Sequence, residues 1–548
     1  MNFFSKAPRP LLLLFFLLVT AVASAQPAQP PRLVVGVVVD QMRADYLRRF
    51  APLFGEDGFK RLMRDGYEFR NTHYNHIPTY TGPGHASVYA GAPPAQHGIV
   101  ANDWYQREIG RTLNCVEDTT VTAVGGDPSE GQVSPANLLA TTITDELRLA
   151  TNYRGKVVGV SLKNRGAVLP AGHAPNGAYW YDGTTGNFIT STYYTPKLPA
   201  WVDAFNQRKL ADQYMNQTWG LLAAQEHYLA GNDDDAPYEM LYKGAKKSVM
   251  PYNLKKLRKD NGNLAGLYVT PFGNTIVAEM AKAAVAGEQL GQDDVPDFLA
   301  VSFSSTDYVG HYYGPQSLEL EDTYARLDRD LADLLHYLDE TVGEDHYTLF
   351  LTADHAAIDN PRYLQERHFP SGFVDYDAMT DSLQNFLRAR FDAAEALLSI
   401  SNDQIYLDRA FWNQQETSLA EVQAALVDYL SGWEGVRAVF TGPQMLYQEY
   451  TEGQPAMLQN GYFYKRSGDL LVLLQPGWLG KLNIATTHGS GYTYDTHVPL
   501  LWYGAGVPSG ATVRHCTIYD IAPTLSLRLG TKPPSAAIGL PLEELFRK

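Results

Sequence analysis

Two short strings, Asp307-Tyr308-Val309-Gly310-His311 and Asp354-His355, each follow an apolar, strand-like run. Each therefore stands where a strand ends and the chain turns toward a cleft. Carboxylate and imidazole are the oxygen and nitrogen donors that zinc favours. Two such half-sites in one domain predict two metals. Paired metals predict hydrolysis or transfer of a phosphate ester, since one can hold the attacking oxygen while the other holds the departing one.

Asp40 ends the run Leu33 to Val39 in the same way. In open α/β sheets the ligand crevice lies outside the carboxyl ends of the strands. Three carboxylates aimed into one crevice repel unless a cation sits among them. Any one of these aspartates alone reads as a turn former or helix cap; the adjoining His311 and His355 favour the metal reading. Of the 14 histidines, His227 and His336 lie in helical patterns and read as surface or packing residues. His488, in the loop Thr486-Thr487-His488-Gly489, and His497 both stand as candidates for a further ligand.

A nucleophile is sought in Pro78-Thr79-Tyr80-Thr81-Gly82-Pro83-Gly84-His85-Ala86-Ser87. Pro83 suits the first turn of a helix, which is expected to begin just after Thr81. Thr81 would then project where free N–H groups and the helix dipole favour an anion such as phosphate. An ordinary Thr N-cap, contributing about 1 kcal/mol, is equally compatible, and Thr79 is a rival. Lys163 and Arg165, in a loop after the run Lys156 to Ser161, read either as a solvated pair or as phosphate ligands, a point charge and a planar fork. Asn102, in His97-Gly98-Ile99-Val100-Ala101-Asn102, could donate an amide N–H to the same group.

The elements that must position these residues are strands and helices in alternation. Leu33 to Val39, Lys156 to Ser161, Phe298 to Ser304, Tyr347 to Ala353 and Val498 to Tyr503 are apolar runs with strand character. Ile276 to Val285 and the series Tyr324, Leu327, Leu331, Leu334, Leu335, Leu338 have helical character. The expected fold is α/β, a mostly parallel central sheet with helices on both faces. The stretches 169–268 and 359–481, rich in Tyr, Asn, Gly and Pro, are expected as insertions that cap one end of the sheet.

The balance of 44 basic against 60 acidic residues argues against non-specific nucleic-acid binding. Residues 1–25 have the layout of a secretory signal peptide: Lys6 and Arg9, the apolar core Leu11 to Val19, and Ala23-Ser24-Ala25 before Gln26. Cleavage after Ala25 would leave a periplasmic or secreted protein with no membrane anchor. Cys115 and Cys516, the two cysteines, could pair in an oxidising compartment, and the sequence leaves this open.

The order Asp40, Thr81, Asn102, Asp307/His311, Asp354/His355, His488 resembles the alkaline phosphatase superfamily. It is most similar to the PafA-type bacterial alkaline phosphatases, which use a Thr nucleophile. Thr81-Gly-Pro-Gly-His85 resembles the nucleophile segment shared with the nucleotide pyrophosphatase/phosphodiesterases, which selects Thr81 over Thr79. Thr487-His488-Gly489 resembles the last zinc-ligand motif, which selects His488 over His497. Lys163-x-Arg165 is the part that the PafA-type enzymes have and the phosphodiesterase branch lacks. The Cys-x-Pro-Ser-Arg signature of the sulfatase relatives is absent from the sequence.

The resemblance implies two zinc ions per chain. One would be bound by Asp307, His311 and His488, the other by Asp40, Asp354 and His355 with Thr81 oxygen completing it. Asn102, Lys163 and Arg165 would hold the phosphoryl group, and a phosphothreonine would form on Thr81. It implies a phosphomonoesterase acting on small phosphate monoesters as a monomer. The nearest alternative is a nucleotide pyrophosphatase/phosphodiesterase on the same scaffold. A binding protein with a degenerate site is disfavoured because every ligand type and the nucleophile are present.

Overall fold

Leu33–Val39 (β1) is buried along its whole length, as a β-branched run at the centre of a sheet must be. It is the spine of the computed structural model, which describes residues 30–229, 234–480 and 482–547. Val157–Ser161 (β2), Gly177–Asp182 (β3), Asn187–Ser191 (β4), Asp297–Phe303 (β5) and Tyr347–Thr352 (β6) follow. Four strands then form a separate sheet: Leu397–Ser401 (β7), Gln404–Leu407 (β8), Val436–Thr441 (β9) and Leu470–Leu474 (β10). Leu500–Gly504 (β11) returns to the first sheet. The leader expected at residues 1–25 lies outside the described residues.

The main sheet has ten strands and runs β11-β6-β1-β5-β2-β3-β4 through its middle. The expected parallel arrangement holds through the centre of the sheet, and antiparallel pairs toward its margins make the whole sheet mixed. From β6 to β3 neighbours are parallel. Toward the margins, β11 pairs antiparallel with β6, and β4 with β3. The β3–β4 link spans only residues 183–186, too short for the crossover that a parallel pair needs. The run expected from Val498 to Tyr503 is broken at Pro499, which has no N–H to give a ladder. His497–Val498 therefore pairs with Thr72–His73, outside the main sheet, and only Leu500–Gly504 joins β6.

Thr81–Ala90 (α1) and Asn164–Ala171 (α2) rest on a row of small residues. Gly36, Ala300 and Gly159 lie side by side in register across β1, β5 and β2. A Cβ at Gly36 would stand 2.4 Å from the Tyr89 hydroxyl, and one at Gly159 would stand 2.3 Å from the Ala167 carbonyl oxygen. The missing side chains let both helices approach, and with them the residues at their N-termini. Phe272–Glu288 (α3), Ser305–Tyr313 (α4) and Leu318–Thr341 (α5) form a second helix group. The expected apolar series on α5, Tyr324 to Leu338, is buried throughout.

The two stretches expected as caps behave differently. Residues 169–268 first supply β3 and β4 to the sheet, because Gly177–Asp182 is wholly buried and pairs with β2. Residues 359–481 carry the four-stranded sheet with its own apolar core, including Leu383, Leu387, Ile405, Trp412, Leu426 and Leu470. Cys115 and Cys516 are both buried and unpaired; Cys516 Sγ lies 3.1 Å from Thr72 Oγ1.

Candidate active site

Four adjacent parallel strands deliver the predicted residues to one place. Asp40 follows β1, Asp354 and His355 follow β6, Lys163 follows β2, and Asp307 lies in the first turn of α4 just past β5. One helical turn on, His311 stands on the same face of α4, its Nε2 3.1 Å from Asp307 Oδ1. The loop before β11 brings His488, whose Nε2 is 3.6 Å from the same oxygen.

Each of the three imidazoles is held by its far nitrogen. His311 Nδ1 bonds the Thr486 carbonyl at 2.7 Å, His488 Nδ1 the Thr79 carbonyl at 2.7 Å, and His355 Nδ1 the Ala356 carbonyl at 3.1 Å. A carbonyl only accepts, so each Nδ1 carries an N–H and each Nε2 is the nitrogen turned toward the centre. Donor rings held this way by their second nitrogen are the usual state of metal-binding histidines.

The spacing of the donor atoms fits a metal. His355 Nε2 lies 3.5 Å from Asp40 Oδ1, 3.6 Å from Asp354 Oδ2 and 3.5 Å from Thr81 Oγ1. Ligand atoms around a tetrahedral zinc with bonds of 2.0–2.2 Å stand roughly 3.3–3.6 Å apart. Asp40 Oδ1 and Asp354 Oδ2 are also buried oxygens without a hydrogen-bond donor, a costly condition that a cation would relieve. Donor atoms of Asp307, His311 and His488 lie within 4.8 Å of one another, as do those of Asp40, Asp307 and His355. In the second group Asp354 is the better third carboxylate. Asp307 already receives Gln41 Nε2 at 2.7 Å and Lys163 Nζ at 2.6 Å, whereas Asp354 Oδ2 has no donor.

Thr81 is the first residue of α1, not its cap: Tyr80 holds the cap position and no side chain caps the helix. The Thr81 hydroxyl is thus not used for the ordinary capping bond. The Thr79 hydroxyl donates to the Ser490 carbonyl at 2.9 Å and is occupied. Asn102 Oδ1 accepts the Gly82 N–H at 2.7 Å, which leaves its amide N–H groups for a ligand. Lys163 Nζ is 2.6 Å from Asp40 Oδ2 and 3.5 Å from Thr81 Oγ1. Arg165 Nε is buried without an acceptor. Thr81, Asn102, Lys163 and Arg165 border a cavity of about 500 Å³ that is also lined by Tyr376, Asn402, Leu473 and Trp478 from residues 359–481.

The charges divide unevenly. Burial, then the charge of Asp354, pushes the Asp40 carboxyl well up. Burial holds Asp354 at about 6 despite Lys163. Burial also acts on Asp307, but His311 and Lys163 outweigh it and hold Asp307 well below the usual carboxylate range. Burial lowers His355 to about 3, and burial with the neighbouring His355 lowers His488 far below the ordinary imidazole value. Burial opposes the Lys163 charge, yet Asp307 and Asp40 raise its pKa above the ordinary lysine value. His355 and His488 thus stay neutral beside crowded carboxylates, an arrangement suited to divalent cations.

His497 is elsewhere: its Nε2 bonds the Arg70 carbonyl and its ring stacks on His73. His227 is exposed, and His336 is 55% exposed on α5. Two residues escaped notice in the sequence. Gln41 gives its backbone N–H to Asp354 Oδ1 at 3.1 Å and its amide to Asp307. His85 places Nδ1 3.4 Å from Asp354 Oδ2 and Nε2 2.9 Å from Ser302 Oγ. The signal for both was adjacency: Gln41 follows Asp40, and His85 ends the Thr81 motif.

The family described as type I phosphodiesterase / nucleotide pyrophosphatase matches residues 34–497 of this chain. A Myroides odoratus protein named a calcium-transporting ATPase is 43% identical over 96% of this chain and 97% of its own length. Alkaline phosphatase PhoV of Synechococcus elongatus is 44% identical over 94% of this chain and 93% of its own length. The crystal structure of wild-type alkaline phosphatase PafA superposes with a TM-score of 0.91 at 42% identity, covering 94% of this chain and 99% of that one. Among the described residues, no helix is long and apolar enough to cross a membrane.

Proposed function

We propose a reaction from the premise that this chain belongs to the type I phosphodiesterase / nucleotide pyrophosphatase family, among its PafA-like alkaline phosphatases. It is a phosphomonoesterase that hydrolyses phosphate monoesters, with Thr81 as nucleophile. Asp307, His311 and His488 would hold one zinc ion, and Asp40, Asp354 and His355, with Thr81 oxygen, would hold the second. Metal at these positions supplies a lowered hydroxyl pKa and neutralisation of charge on the departing oxygen.

Thr81 Oγ attacks phosphorus in line, the bond to the leaving oxygen breaks, and a phosphothreonine forms. Water then cleaves the phosphothreonine, releasing phosphate and restoring the hydroxyl. Two displacements retain configuration at phosphorus. The dipole of α1, whose first residue is Thr81, favours the phosphoryl oxygens, Asn102 donates its amide N–H, and Lys163 and Arg165 neutralise the remaining charge. Export by the leader at residues 1–25 and action as a monomer complete the reading.

One observation carries the choice of monoester over diester. Lys163 lies 3.5 Å from the Thr81 hydroxyl, and the Arg165 Nε is buried without a partner beside the same cavity. A monoester carries about two negative charges above pH 6, a diester only one, so two cations favour the former. The test compares rates on an aryl phosphate and on its methyl diester, with metal analysis of the same preparation. A monoester preference of several orders of magnitude is expected. A diester preference would assign the chain to phosphodiesterase chemistry instead.

A further inference from the structure

Asp307 stands within reach of both metal positions. One of its oxygens lies within 4.8 Å of donor atoms of His311 and His488, and one lies as near to donor atoms of Asp40 and His355. A carboxylate offers about four lone-pair positions, so left alone it could chelate or bridge. Two donors confine it. Lys163 Nζ bonds Asp307 Oδ2 and Asp40 Oδ2, each at 2.6 Å, and so stands between the two carboxylates. Gln41 Nε2 donates to Asp307 Oδ1 at 2.7 Å. That oxygen is the one 3.1 Å from His311 Nε2 and 3.6 Å from His488 Nε2.

Gln41 is buried and left-handed, with φ 65, a conformation that costs a residue with a Cβ. It turns the backbone N–H to Asp354 Oδ1 at 3.1 Å while the side chain crosses to α4. The turn is pinned from outside: Thr306 Oγ1 donates to the Asp40 carbonyl at 2.6 Å, and the Asp40 N–H to the Phe303 carbonyl at 2.9 Å. One residue thus holds a carboxylate from each proposed metal group. Gly310 on α4 makes the room. A Cβ there would stand 2.0 Å from Gln41 Oε1, and its three nearest atoms all belong to the Gln41 side chain. Glycine is unfavourable inside a helix, so its place on α4 answers to the amide and not to the helix.

We propose, resting on the two-zinc reading of the site, that Gln41 is a positioning residue that confines Asp307 to the metal position of His311 and His488. Gly310 is the gap that admits its amide. A carboxylate oxygen only accepts, so Nε2 is the amide atom that faces Asp307. Its N–H takes one lone-pair position of Oδ1 and leaves the other for an ion, while Lys163 holds Oδ2. Asp307 then serves one ion through one oxygen, and Asp354 is the carboxylate left to serve the second. Gln41 touches neither substrate nor ion and acts through the two aspartates.

The test uses the whole protein, stripped of metal and reloaded with zinc, with the affinity for each ion measured by competition against a chromophoric chelator. Gln41→Gly removes the amide, relieves the left-handed backbone and keeps the N–H on Asp354. Gly310→Ala expels the amide while Gln41 and every proposed ligand stay unchanged, and alanine favours the helix. Each variant is expected to bind one of its two zinc ions roughly 10- to 100-fold more weakly than wild type. The other ion should keep its affinity, and the metal-free variant should unfold at no lower a temperature than metal-free wild type. Wild-type affinity for both ions in either variant overturns the proposal, as does equal weakening of both ions. Fewer than two zinc ions in the wild-type protein would overturn the two-zinc reading itself, and this proposal with it.

Discussion

The Lys163 ammonium stands 3.5 Å from the Thr81 hydroxyl oxygen while bonding Asp40 and Asp307, each at 2.6 Å. One cation thus approaches the proposed nucleophile and bonds a carboxylate from each of the two proposed metal positions. With Arg165 beside it, this is the positive charge that a second phosphate charge would meet. Each desolvated charge-assisted contact contributes about 1.5–3 kcal/mol, roughly 10- to 150-fold in rate. Lys163→Ala combined with Arg165→Ala should lower kcat/KM for an aryl phosphate by on the order of 10²-fold or more. The matching methyl diester should lose far less. Equal losses on both substrates would remove these residues from substrate discrimination.

Thr81 contributes one oxygen to a set otherwise supplied by Asp40, Asp354 and His355, all within 3.6 Å of His355 Nε2. Thr81→Ala leaves those three in place. Turnover of a monoester should collapse by several orders of magnitude while zinc, measured by elemental analysis, stays near the wild-type content. Thr81→Ser should restore a large part of the rate. Loss of metal along with activity in Thr81→Ala would mean that Thr81 acts as a ligand first, and the nucleophile assignment would need independent proof.

The candidate site residues that follow an apolar run could be placed from the sequence, because chain direction alone fixes their side of the sheet. Asp40, Lys163, Asp307 and Asp354 are examples. The choice between Thr79 and Thr81, or between His488 and His497, could not be made from local composition. It depends on long-range partners: the Ser490 carbonyl that occupies Thr79, and the Arg70 carbonyl that holds His497. Pro499 was visible as a strand breaker, but the direction of the strand after it was not, because pairing with β6 is decided by the path of the preceding insertion. Gln41 was illegible for another reason. Its part in the site comes from a backbone at φ 65, a left-handed conformation that composition does not announce.

Gly84 is a tight point between α1, which carries Thr81, and the loop of Asp354. A Cβ there would stand 2.2 Å from the Asp354 carbonyl oxygen, a backbone atom that cannot swing aside. Gly84→Ala must therefore push α1 away from the end of β6, carrying Thr81 with it. Overpacking of this kind costs roughly 1–3 kcal/mol, and a shift of about 1 Å in a reacting group can cost 10²-fold in rate. Lower unfolding temperature and lower kcat are expected together. Gly82→Ala should be milder, since its nearest obstacle is Cys115 Sγ at 3.0 Å. A Gly84→Ala enzyme with wild-type kcat would show that α1 and Asp354 are not rigidly coupled.

His76 supplies an acid sensitivity separate from the metal site. Its ring is fully buried, Nδ1 shares a 2.8 Å hydrogen bond with the Tyr519 hydroxyl, and Nε2 has no partner. Burial holds its pKa at about 3 against an ordinary value of 6.5. The folded protein therefore keeps the ring neutral while the unfolded chain takes up a proton below pH 6.5. The contribution of His76 is fully present above pH 6.5 and is lost as pH falls from there toward about 3, at about 1.4 kcal/mol per pH unit. Release of metal from the proposed sites in acid would add its own loss, common to wild type and to a variant at residue 76. Between pH 6.5 and 5, urea unfolding of His76→Gln should thus lose about 2 kcal/mol less than wild type. Parallel stability curves for the two proteins over that interval would place the acid sensitivity elsewhere.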